Sequence, residues 1–144
     1  MLTHASRTTR RTLLTAVAMT GLLLVLPKTA VAGPPFICHT FELSGSPSLP
    51  WSTGAGWNTP DPAYDLDRLT PDVTRLLASS MPVSARMETL RRATIYAARD
   101  KAVAARLLQA LVARSEQQPK DPRALFDAGF LVEAYRQATR VYKW

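Results

Sequence analysis

Apolar positions recur with helical period through the second half of this chain, most densely from Pro82 to Arg99 (PVSARMETLRRATIYAAR). Val83, Met87, Leu90, Thr94 and Ala97 are spaced by fours and threes, which places them on one helical face, and Ala93 and Tyr96 widen it. Arg86, Glu88, Arg92 and Arg99 then fall mostly on the other side, towards solvent. Arg91-Arg92 reads as a solvent-facing or salt-bridged pair, with Glu88 to Arg92 at the favourable helical spacing. This helix is expected over residues 82–99, with Pro82 at the first helical position, where a missing N–H leaves nothing unpaired.

Start signals place three more helices around it. Thr70-Pro71-Asp72 offers a capping hydroxyl, a proline and an acidic residue near the positive end of the dipole, opening a helix over 71–79 with Val73, Leu76 and Leu77. Asp100 caps a helix over 101–115 whose apolar face is Val103, Ala104, Leu107, Leu108, Leu111 and Val112. Asp121-Pro122 opens the last, over 122–143, carrying Leu125, Phe126, Val132, Tyr135 and Tyr142. Gly129 lies inside it, which predicts a close crossing by a neighbouring helix. The short connections predict an all-α domain of antiparallel helical hairpins over residues 65–144.

Residues 33–64 have a different texture. They hold six prolines and four glycines, too many for long helices, yet also Phe36, Ile37, Phe41, Leu43, Leu49, Trp51 and Trp57. Such a segment is expected to be an extended arm pinned to the helices by its aromatics, with Phe41-Glu42-Leu43 as a short edge strand. Alternatively, Trp51 and Trp57 form the lip of a ligand site. Asp61, Asp65 and Asp67 lack the glycine of a calcium loop and read as a solvated turn.

Composition changes the picture chiefly at the N-terminus. Arg7, Arg10 and Arg11 precede an apolar core, Leu13 to Leu26, and Ala30-Val31-Ala32 offers a small-residue cleavage site. That core is short for a membrane span, which needs about 20 residues. Residues 1–32 are therefore read as a signal peptide cleaved after Ala32, giving a periplasmic or extracellular protein. Thr9-Arg10-Arg11-Thr12-Leu13-Leu14 leaves both the twin-arginine and the general secretory route open. The 144-residue chain has a formal net charge of +7; losing Arg7, Arg10, Arg11 and Lys28 reduces it to +3. That is too small an excess for a nucleic-acid reading.

Candidate chemistry is confined to Cys38-His39. Adjacent residues in an extended arm point to opposite faces, which disfavours a nucleophile–base pair, and nothing like G-x-S-x-G occurs. The PFICH stretch (residues 35–39) keeps only the ending of a haem-attachment motif, and a zinc site would want four ligands. No catalytic residue, metal or cofactor is assigned. Cys38 is expected either to lie buried under the arm or to link two chains through a disulfide.

Two resemblances follow. Asp121 to Ala138 (DPRALFDAGFLVEAYRQA) resembles part of a tetratricopeptide repeat, and the forty-residue offset between the starts at Pro82 and Pro122 falls in the range of helical repeats. The pieces PPFICHTFEL (34–43), SLPW (48–51), RMETLRRATIYA (86–97) and LFDAGFLVEAYRQA (125–138) resemble a group of exported bacterial proteins with no established reaction. Those proteins continue past the point matching Trp144, where this chain stops in what reads as an unfinished helix. The resemblance implies export and an arm followed by a helical domain. Together these readings lead to an expected role in binding a protein or peptide in the cell envelope, without catalysis. The alternative is a small cofactor- or metal-binding protein using Cys38 and His39.

Overall fold

The computed structural model describes residues 35–54 and 56–144. The expected signal peptide, its cleavage site and the paired arginines lie outside them. The fold is all-α, with four α-helices among the described residues: α1 (Leu69–Ala78), α2 (Val83–Ala97), α3 (Lys101–Gln117) and α4 (Pro122–Val141). Two 3-10 turns precede them, Phe36–Cys38 in the arm and Leu66–Arg68 leading into α1.

Two of the helix starts follow the expected chemistry. The Asp100 carboxylate accepts from the N–H groups of Ala102 and Val103 at the head of α3, and Asp121 accepts from Arg123 N–H at the head of α4. The start of α1 corrects the expectation at Thr70. The helix begins earlier, at Leu69, without a side-chain cap, because the turn Leu66–Arg68 feeds into it and Asp65 accepts from Asp67 N–H there. Pro71 is tolerated inside the first turn because those N–H groups have no intrahelical acceptor.

Helix α1 packs on α2 and on α3, α2 on α4, and α3 on α4. The core runs through Leu69, Val73, Leu77, Leu90, Tyr96, Leu107, Leu111 and Leu131. Helix α2 is its centre: eleven of its fifteen residues are buried, on every side of the helix. A single-faced amphipathic helix is therefore not what forms. Arg86 and Glu88, placed on the polar side, are each 1% exposed, and Arg91, read as solvent-facing or salt-bridged, is the salt-bridged one and fully buried, whereas Val83, assigned to the apolar face, is 58% exposed at the helix start.

The arm covers Glu88 and Arg91, whereas Arg86 is buried between Asp127 of α4 and the C-terminal end of α1. No strand forms at Phe41-Glu42-Leu43. The chain instead turns through two left-handed residues, Ser44 (φ 48°) and Gly45 (φ 75°), and Ser46 N–H donates to Leu43 O at 2.8 Å. A single bridge pairs Trp51 with Pro60, closing the loop between them. Gly129 also departs from expectation: a Cβ added there would meet nothing within 4 Å, so no helix crosses closely at that point.

Candidate functional site

The residues expected to act or anchor lie along the arm, and the arm is held by charge. The Glu88 carboxylate receives Arg91 through two parallel N–H···O bonds, both 2.8 Å, and Arg92 Nε at 2.8 Å. Arg91 then donates to the carbonyls of Ile37 (3.2 Å) and Trp57 (2.8 Å), and Arg92 to that of Leu49 (2.8 Å). Phe41 N–H returns a bond to Glu88 at 2.9 Å. An arm rich in proline and glycine forms no regular ladder, so its buried carbonyls need donors from elsewhere, and guanidinium forks supply them.

Trp51 and Trp57 are both half-buried against this clasp. The Arg91 and Arg92 guanidiniums each lie 5.2 Å from the centre of the Trp51 ring, which also meets Tyr96 edge-on at 5.8 Å. Tyr96 Oη donates to Pro50 O at 2.6 Å and accepts from Asp61 N–H at 2.9 Å. Trp57 packs beside Ile37, Ile95 and Tyr142, its ring 6.4 Å from that of Tyr142. The two tryptophans are thus docked on α2 and on the end of α4 as anchors of the arm. Cys38 is free and half-buried at the end of the first 3-10 turn, and His39 beyond it is exposed. Among the described residues, no three His, Cys, Asp or Glu side chains converge to hold a metal ion.

Burial raises the Glu88 pKa, but the bonds from Arg91, Phe41 N–H and Arg92 outweigh it and hold the carboxyl below its ordinary value. A second buried cluster ties α2 to α4: Arg86 meets Asp127 in a two-point ion pair, and Arg114 reaches the same carboxylate at 3.3 Å. Arg86 also donates to Leu77 O at 3.0 Å. Here burial dominates and pushes the Asp127 carboxyl up, against the pull of Arg86 and Arg114. Both clusters are fully partnered and far more structural than reactive.

An apolar groove lies beside α4, and no sequence signal singled it out. The buried face of α4 is an alanine stripe: Ala124, Ala128, Ala134 and Ala138, with Leu131. Larger apolar residues of the same helix point outward instead, with Leu125 52%, Phe126 36% and Val132 43% exposed. Of these, Val132 lines a groove of about 450 Å³ between α3 and α4, together with Ala104, Ala105, Leu108, Tyr135 and Trp144. Lys101 on α3 and Arg136 on α4 stand at its edges. Tyr135 Oη is turned away to Ala104 O at 3.1 Å, and burial raises its pKa. The Trp144 indole stacks edge-on against Tyr135 at 5.0 Å, and its Nε1–H is buried without an acceptor.

The spacing of Ala124, Ala128, Leu131 and Ala138 by fours, threes and sevens was available in the sequence. It is masked by the heavier apolar residues beside it. Neither a protein-family model, nor a curated protein sequence, nor a solved structure matches this chain.

Proposed function

We propose that this chain is an exported, non-catalytic helical module of the cell envelope that binds a protein or peptide. The observation that carries the reading is the inverted α4, which buries alanines and turns Val132 outward into the wall of an apolar groove. Exposed apolar surface of that kind is the usual mark of a docking site. The order of helix contacts supports it: α1 on α3 and α2 on α4 is the pattern of stacked two-helix units, in keeping with the likeness to a tetratricopeptide repeat. The apolar stretch Leu13 to Leu26 with Ala30-Val31-Ala32 behind it supports export, and among the described residues no helix is long and apolar enough to cross a membrane.

A photo-reactive side chain at Val132 tests the reading in cells. It is expected to yield adducts with an envelope protein, and the same group at exposed Glu116 is not. Adducts from neither position overturn the binding role. Mass analysis of the recovered protein checks export, which requires an N-terminus at Gly33, and export lost on Arg10→Lys with Arg11→Lys assigns the twin-arginine route.

A further inference from the structure

We infer that the groove between α3 and α4 takes an amphipathic helix of a partner protein, with its apolar stripe flanked by Asp or Glu. This inference rests on the binding role proposed above and adds the chemistry of the partner. The shape favours a helix over an enclosed small molecule. Ala105, Val132 and Thr139 line the groove and are exposed, so it is an open channel, whereas small-ligand sites surround most of their ligand. The walls are themselves helical, with Ala104, Ala105 and Leu108 on one side and Val132, Tyr135 and Thr139 on the other. Val132 to Thr139 spans about 10 Å of helix axis, which matches two turns of an occupant presenting apolar residues at i, i+3, i+4 and i+7.

Charge selects the flanks of that occupant. The charged side chains lining the groove among the described residues are Lys101 and Arg136, one on each wall. Lys101 is exposed and makes no ion pair among the described residues; Arg136 is 71% exposed and reaches Glu133 at 2.9 Å across the outer face of α4. An acidic residue on either side of an apolar stripe would meet a cation at each edge, and a basic one would meet repulsion at both.

The test uses the protein as purified from its expression host and three labelled peptides of roughly four helical turns. All share one stripe of leucines; the flanking residues are Glu in the first, Lys in the second and Ser in the third. Fluorescence anisotropy is expected to show the Glu peptide binding at least about tenfold more tightly than the Lys peptide, with the gap closing as salt is raised. Lys101→Glu with Arg136→Glu should reverse the preference, and Ala105→Glu should weaken all three peptides, each variant keeping the parent's helical circular dichroism. Equal affinity for the Glu and Lys peptides overturns the acidic partner. Unchanged binding in Ala105→Glu overturns the groove as the site. Displacement of the Glu peptide by palmitate, or self-association abolished by Val132→Glu, assigns the groove to a lipid or a second copy instead and overturns the inference. If none of the peptides binds but the Val132 photo-adduct forms, the partner chemistry fails and the binding role stands; if the adduct is absent too, both fail.

Discussion

Arg91 is fully buried at the centre of the clasp, paired with Glu88 and bonded to the carbonyls of Ile37 and Trp57. Periodicity sorts residues by their own chemistry and assigns Arg and Glu to water, because an unpaired buried charge is too costly to keep. The Glu88–Arg91–Arg92 spacing was visible, but their burial depends on the carbonyls of Ile37, Leu49 and Trp57, which arrive from 34 to 54 residues away. Removing one partner of such a pair strands the other. Arg91→Ala is therefore expected to cost about 3–5 kcal/mol, comparable with the roughly 2–5 kcal/mol expected for Leu90→Ala in the core. Arg92→Ala, whose side chain is 15% exposed, should cost less, on the order of 1–3 kcal/mol, and not the negligible amount expected of a surface pair. Urea denaturation of the three variants ranks them, and an Arg91→Ala loss below that of Arg92→Ala would show that the clasp is not centred on Arg91.

Whole elements were easier to read than their faces. Carboxylate caps at Asp100 and Asp121 act within two or three residues, so local sequence contains everything they need. The orientation of α4 does not have that property. Both Leu125-Val132 and Ala124-Ala128-Leu131-Ala138 are helical stripes, and close packing of α4 on α2 selects the one with small side chains. Gly129 lies on the side left open. Its expected close crossing is absent, which makes it a correctable weakness: Gly129→Ala removes backbone freedom from the unfolded chain and adds a Cβ that meets nothing. The midpoint of thermal unfolding should rise, with a gain of about 0.5–1 kcal/mol. A loss would place a close neighbour over that residue.

Among the described residues, the arm and helices form one compact unit, but different charges hold its parts. The arm depends on Glu88, held below its ordinary pKa, and on Asp72, also lowered: burial raises it, but Arg75 and the Tyr64 hydroxyl, 2.9 Å away, outweigh that. A lowered carboxyl contributes stability above its unfolded value of about 4, and loses that contribution as pH falls through the folded value. The tie between α2 and α4 depends on Asp127, whose pKa is raised, so its linkage has the opposite sign: the contribution is full below the unfolded value and declines as pH rises through the folded one. Acid should therefore loosen the arm before the helices. With Trp144→Phe leaving Trp51 and Trp57 as the only indoles, emission is expected to be blue-shifted and protected from quencher near neutral pH. On acidification below about pH 4 it should move to the red while far-ultraviolet circular dichroism still reports helix. Glu88→Gln should show the red-shifted, quenchable emission already at neutral pH and lose most of the further acid response. Coincident loss of fluorescence and helix at every pH would mean that arm and helices unfold as one unit, with Glu88 only one contributor among many.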